Sequence, residues 1–303
     1  MDLNFGSGIA NETGGKNHMN ELFELFPGAK LGIARVKPIR AGVPTNHTAG
    51  VTGIVAMKGG SMKKLSSFLL CATFTLCPAV AQDLKPVYLG SAATFAVLGG
   101  SEVTNTGNTV IIGDLGLWPA AGTFVTGFSG ENAGGPGVVI GTIQDNDTGP
   151  ETAAAHHAQA SLTIAINDAD GRTGPFTPAN TDQAGLTLTP GLYRADTTLL
   201  ISGGTLYLTL YLSGKGVYIF QIGRGLTVGV GAHVVLENGA QAADVFWQVS
   251  TAATLNSGVI FQGNILAGSA ITMGAGTTLV GRALAKTKVT FIDDTVALPG
   301  RRH

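Results

Sequence analysis

Cysteine is almost missing from this chain: two residues in 303, Cys71 and Cys77, both inside one apolar run. Downstream of that run there is none, so the rest of the protein is predicted to hold together without disulfides. Charge is sparse as well, at 12% of residues, with 18 Lys and Arg against 19 Asp and Glu. No basic stripe is present, which argues against nucleic acid as a partner. The sequence shows no phosphate-cradling loop, no metal-ligand spacing and no Ser/His/Asp order. The apolar run is shorter than the roughly 20 residues that a membrane span needs.

Glycine fills the space these absences leave. There are 45 glycines without a triplet period, which excludes collagen and suits many short strands joined by tight corners.

Near the middle of the N-terminal third lies a secretory signature: Met62-Lys-Lys, an apolar segment Leu65–Cys77, and the small-x-small site Ala79-Val-Ala81. It predicts cleavage near Gln82, with residues 1–61 an upstream extension outside the mature protein, 62–81 a signal peptide, and 82–303 one secreted, extracellular domain without a membrane anchor. That domain holds 10 Lys and Arg and 15 Asp and Glu, a net charge of −5.

The clearest pattern runs from Phe246 to Val296. Thr254, Thr272 and Thr290 recur every 18 residues, as do Gly263 and Gly281 between them. A fixed period near 20 residues signals a solenoid, whose coils bury their inner faces only by stacking. Strand alternation sends Ala253, Ile271 and Val289, with Leu255, Met273 and Phe291, to the interior. Ala252, Ala270 and Lys288 then face outward with the threonines. Similar short β-branched runs broken by Gly and Asn fill 87–126 and 191–249.

One segment departs from this syntax. Residues 151–169 contain no Gly and are rich in Ala, with Ala155, Ala158, Leu162, Ala165, Ile166 and Ala169 on one stripe. Pro150 suits a first turn and Gly171 follows the end, so one long α-helix is predicted over about 151–169, lying along the solenoid.

Several motifs in order resemble the microbial ice-binding proteins of the DUF3494 type. They are Leu89–Leu98, Val103-Thr-Asn-Thr-Gly107, Gly113-Asp-Leu-Gly116, Leu188-Thr-Pro-Gly-Leu-Tyr193, Tyr218–Ile222, Asn238–Gln241, Val245-Phe-Trp-Gln-Val249 and Gly281–Ala285. The likeness spans Val87 to Pro299. It implies a mainly β fold: a discontinuous right-handed β-solenoid of triangular cross-section, one helix alongside, and early strands closing against late ones. It also implies an antifreeze function, with a flat face carrying a loose Thr-Ala/Gly-x-Thr/Asn phrase.

Thr251-Ala252-Ala-Thr254 matches that phrase in full, and Ser269-Ala270-Ile-Thr272 has Ser for Thr. Arg224-Gly-Leu-Thr227, Thr287-Lys-Val-Thr290 and Thr123-Phe-Val-Thr126 depart at one place, and Ser101-Glu-Val-Thr104 more loosely. Thr197-Thr-Leu-Leu200 marks a coil that has lost its outward Thr. Lys288, Glu102, Phe124 and Arg224 roughen the face, so the best contacts are expected around Thr251–Thr254 and Ser269–Thr272. The implied partner is an ice crystal surface, met by a monomer that needs no cofactor.

Two other classes fit a secreted solenoid. An enzyme acting on polysaccharide would need convergent carboxylates or bound calcium; Asp293-Asp294 and Asp145-Asn-Asp147 read better as turn residues, and His156-His157 point to different helix faces. An adhesion or glycan-binding protein would show a row of aromatics, whereas Trp118 and Trp247 are single and Trp247 reads as core. Asn146-Asp-Thr148 is a glycosylation acceptor in a eukaryotic host.

Overall fold

The computed structural model describes residues 84–129, 134–146, 154–179, 182–203 and 209–300. The upstream stretch, the signal-like run, the first residues of the predicted helix and Asp147–Thr148 lie outside these. Every strand pairing among the described residues is parallel, as stacked coils require. The fold is mainly β with one long helix, Ala154–Asp170.

The stacking order is discontinuous. One sheet runs Leu199–Ile201, Leu226–Val228, Ala253–Leu255, Ile271–Met273, Lys288–Ile292, then Glu102–Thr106 and Val125–Thr126. The sequence therefore advances coil by coil to Ile292, and the next neighbour comes from the chain's early part. Phe95–Gly99 likewise pairs with Thr278–Ala285, so early strands close against late ones.

Two coil lengths build the run from Leu199 to Val289. Leu199, Leu226 and Ala253 are cross-strand partners 27 residues apart, whereas Ala253, Ile271 and Val289 are 18 apart. The difference lies at one corner. In the longer coil a strand His233–Glu237 stops, turns through Asn238 (φ 49°) and Gly239 (φ 89°), and passes a 3-10 turn Ala242–Asp244 before Val245. In the shorter coils a single strand rounds the corner: Ile260–Ala267 bends at Gly263 (φ 111°) and Thr278–Ala285 at Gly281. Those two glycines stack on each other so closely that a Cβ on Gly281 would lie 1.8 Å from the Gly263 carbonyl oxygen. The 18-residue glycine spacing is thus a packing requirement.

Alternation fills two cores. Tyr193, Phe220 and Trp247 are cross-strand partners pointing inward, with ring centroids 4.9 Å and 3.9 Å apart, and Phe261 sits 4.9 Å beyond Trp247. The Trp247 indole donates to the Gln262 carbonyl at 2.9 Å, so its one polar atom is satisfied inside the core. The intervening residues Leu192, Ile219, Phe246, Leu266 and Leu284 face the other way and meet the helix. The predicted stripe supplies that contact: Ala155, Ala158, Leu162, Ala165 and Ala169 are buried and Ile166 packs partly against them. Polar side chains fix the helix along its length. Gln221 Nε2 donates to the carbonyls of Ala169, Asp170 and Arg172, occupying acceptors that a helix C-terminus leaves open. Gln159 Nε2 donates to the Ala285 carbonyl, and the Lys286 ammonium donates to Gln159 and to Thr163 Oγ1.

Candidate functional site

The seven-stranded sheet brings the predicted threonines together. Its central outward position reads Leu200, Thr227, Thr254, Thr272, Thr290, Thr104 and Thr126, each a direct cross-strand partner of the next. Six hydroxyl-bearing side chains therefore stand in one column, stepped by the strand spacing of about 4.8 Å and so about 24 Å long. The residues on either side of Thr227, Thr254, Thr272, Thr290 and Thr104, such as Ala253 and Leu255 or Ile271 and Met273, are buried, which fixes the strands from beneath. Thr on a strand has few χ1 choices. Its methyl and hydroxyl are consequently held in place.

Two residues before the column lies a second outward row: Gly225, Ala252, Ala270, Lys288, Glu102 and Phe124. Its first three members are small. Glu102 and Lys288 are direct cross-strand partners of opposite charge. Phe124 is 52% exposed.

At the corner beyond, backbone N–H groups join Thr251 to Arg224 (3.1 Å), Ser269 to Thr251 (2.9 Å), Thr287 to Ser269 (3.1 Å) and Ser101 to Thr287 (2.7 Å). This third row is thus in step with the other two. Of its members Arg224, Thr251, Thr287 and Ser101 are exposed and Ser269 is half-buried.

Thr123 departs from expectation. It lies in a 3-10 turn, Gly122–Phe124, and only Val125–Thr126 joins the sheet. Val125–Thr126 is the last strand of this sheet, so no further strand holds residues 122–124 extended. They close on themselves instead, Phe124 N–H donating to the Ala121 carbonyl at 3.0 Å. Leu200, by contrast, takes the column position in its coil and is 39% exposed, as its lost Thr suggested.

Sequence reasoning missed the partnership of Glu102 with Lys288. They are 186 residues apart, and no local signal joins them.

Asp293 and Asp294 hold a turn. Asp293 has a left-handed backbone (φ 52°) and its carboxylate accepts the Asn108 N–H at 2.6 Å. Asp294 is fully buried, accepting from Thr277 N–H at 2.9 Å and Ile292 N–H at 2.7 Å. Burial, reinforced by the neighbouring Asp293 charge, raises its pKa to about 6 against these lowering hydrogen bonds. Both are turn residues.

A cavity of about 350 Å³ lies between the helix and a corner, lined by Trp118, Pro119, His156, Gln159, Ala160, Thr163 and Lys286. No carboxylate lines it. His156 packs on Trp118 with centroids 4.7 Å apart, and burial lowers the Lys286 pKa. Among the described residues no group of His, Cys, Asp and Glu could hold a metal ion, and no helix is long and apolar enough to cross a membrane.

Comparison with known proteins gives a consistent result. A family model described as "Ice-binding-like" matches residues 97–297. An ice-binding protein from Nostoc sp. (strain HG1) is 36% identical over 234 residues, covering 76% of this chain and 81% of the relative. One from Flavobacterium frigoris (strain PS1) is 35% identical, covering 72% and 78%. Among solved structures, an ice-binding protein from an Antarctic biological consortium superposes with a TM-score of 0.64 at 38% identity, covering 72% of this chain and 93% of the other. An ice-binding protein from an Arctic yeast, described by its antifreeze activity, gives 0.62 at 28% identity, covering 72% and 96%.

Proposed function

This chain belongs to the ice-binding-like family, and from that premise we propose that it is an antifreeze protein that adsorbs to ice through the outward threonines Thr227, Thr254, Thr272 and Thr290 and the small residues flanking them. The observation that carries this reading is the unbroken run Thr227–Thr254–Thr272–Thr290 in direct cross-strand register, beside Gly225, Ala252 and Ala270.

The physical case rests on preorganisation. Each methyl weakens local hydration while each hydroxyl holds a water at a fixed place. Buried partners on both sides of Thr227, Thr254, Thr272 and Thr290 keep the array stiff, so little side-chain freedom is lost on adsorption. Single contacts are weak, and adsorption depends on many engaging at once. Molecules pinned on a growing face force the ice between them to bulge, which lowers the local freezing point and slows the coarsening of small crystals.

The protein is proposed to act outside the cell as a monomer, without cofactor and without catalysing a reaction. The signal-like run at 62–81 and the absence of carboxylates around the described cavity support this. The alternative of an adhesive or glycan-binding solenoid draws no support from the relatives.

Replacing Thr254 or Thr272 by Tyr tests the proposal. Each variant is expected to lose most thermal hysteresis and recrystallisation inhibition while its circular dichroism spectrum stays unchanged. Full activity in both variants rejects this face.

A further inference from the structure

The threonine column crosses six strands, but the surface around it changes character partway. Over the strands bearing Thr227, Thr254 and Thr272 the accompanying row is Gly225, Ala252 and Ala270, none larger than a methyl. At the next strand the row meets Lys288, whose direct partner across the sheet is Glu102, and then the exposed ring of Phe124. This change coincides with the seam where the chain's early strands join its late ones.

We propose that the ice-adsorbing surface ends at the strand Lys288–Ile292, with the Lys288–Glu102 pair and Phe124 as its limit on one side and Leu200 on the other. Thr104 and Thr126 then belong to the column but do not contact ice. This rests on the ice-binding reading above and restricts it.

The argument is one of hydration and shape. An ammonium and a carboxylate keep ordered water shells whose removal is unfavourable, and an ice lattice offers them no substitute. The Phe124 ring, 52% exposed in the turn that leads into Val125–Thr126, is bulkier than the threonines near it and holds a flat crystal plane away from them. Thr104 Oγ1, moreover, donates its proton to Thr290 Oγ1 at 3.3 Å, so that hydroxyl is engaged within the protein. At the far end Leu200 places an isobutyl group where every other coil has a hydroxyl.

The test compares single variants of the full chain by thermal hysteresis and crystal shape. Thr104→Val and Thr126→Val, which add no bulk beside Thr290, are expected to match the parent, while Thr272→Tyr loses activity. Should either valine variant fail to fold, Thr104→Ala and Thr126→Ala replace them with the same expectation. Loss at Thr104 or Thr126 as severe as at Thr272, with folding intact, overturns the boundary. A silent Thr272→Tyr instead overturns the underlying ice-binding reading, and the boundary with it. In the opposite direction, the combined change Glu102→Ala, Lys288→Ala and Phe124→Ala is expected to raise hysteresis above the parent. A folded triple variant with unchanged or lower hysteresis contradicts the proposal.

Discussion

Thr104 and Thr290 stand 186 residues apart in the chain, yet they are direct cross-strand neighbours whose hydroxyls hydrogen-bond at 3.3 Å. That contact closes the seam of a discontinuous stack. The Asp293–Asp294 turn secures the same seam from below: Asp293 accepts the Asn108 N–H, and Thr109 Oγ1 accepts the Asp294 N–H at 3.0 Å. The early strands are held to the last coil by side-chain bonds at the middle of the strand Lys288–Ile292 and just beyond its end.

The corner glycines leave no room for a side chain. Gly281→Ala would drive its Cβ into the Gly263 carbonyl. Forced backbone shifts of this kind cost about 1–3 kcal/mol or more. A clearly lowered midpoint in thermal or chemical unfolding is expected, whereas the same change at Gly276, whose Cβ would meet nothing within 4 Å, is expected to show only the smaller cost of its positive φ of 74°.

Gln221 bridges the sheet to the end of the helix through three carbonyls. Gln221→Ala leaves these acceptors without that donor, and a loss of about 1–3 kcal/mol is expected. Hydrogen exchange should then quicken first in the last turn of the helix, before the strands are affected. Uniform acceleration through the sheet would show that the bridge serves the whole stack.

Asp294 gives stability a definite dependence on pH. Its native pKa of about 6 exceeds the ordinary 3.8, so between these values the folded protein binds more protons than the unfolded chain. The contribution is complete below about 3.8 and is lost as pH rises through about 6. Asp182 works oppositely: burial pushes its pKa up, but hydrogen bonds from Ser202 and Ala184 prevail and lower it, so its contribution is lost only as pH falls below the ordinary carboxylate range. The Tm is therefore expected to decline between pH 4 and 6 and to flatten over that range in Asp294→Asn. An equal slope in the variant would assign the decline to other groups.

Local repetition made much of this legible in advance. Thr254, Thr272 and Thr290 share an 18-residue period because their coils turn within one strand at Gly263 and Gly281. The helix stripe was equally plain, since every member packs on one surface. The 27-residue spacing between Leu226 and Ala253 was masked by nine extra residues around the Asn238–Asp244 corner. Thr123 carried strand chemistry without a strand neighbour to realise it. The pairing of Glu102 with Lys288 depends on which end of the stack receives the early chain, and nothing short-range encodes that.

The most direct measurement is the shape of single ice crystals growing slowly in a dilute solution of the purified protein. Adsorption through the threonine column predicts faceted crystals that stop growing within a hysteresis gap, and rounded, freely growing ones with Thr254→Tyr. Unfaceted discs that enlarge as fast as in buffer, with the parent protein folded, would contradict it.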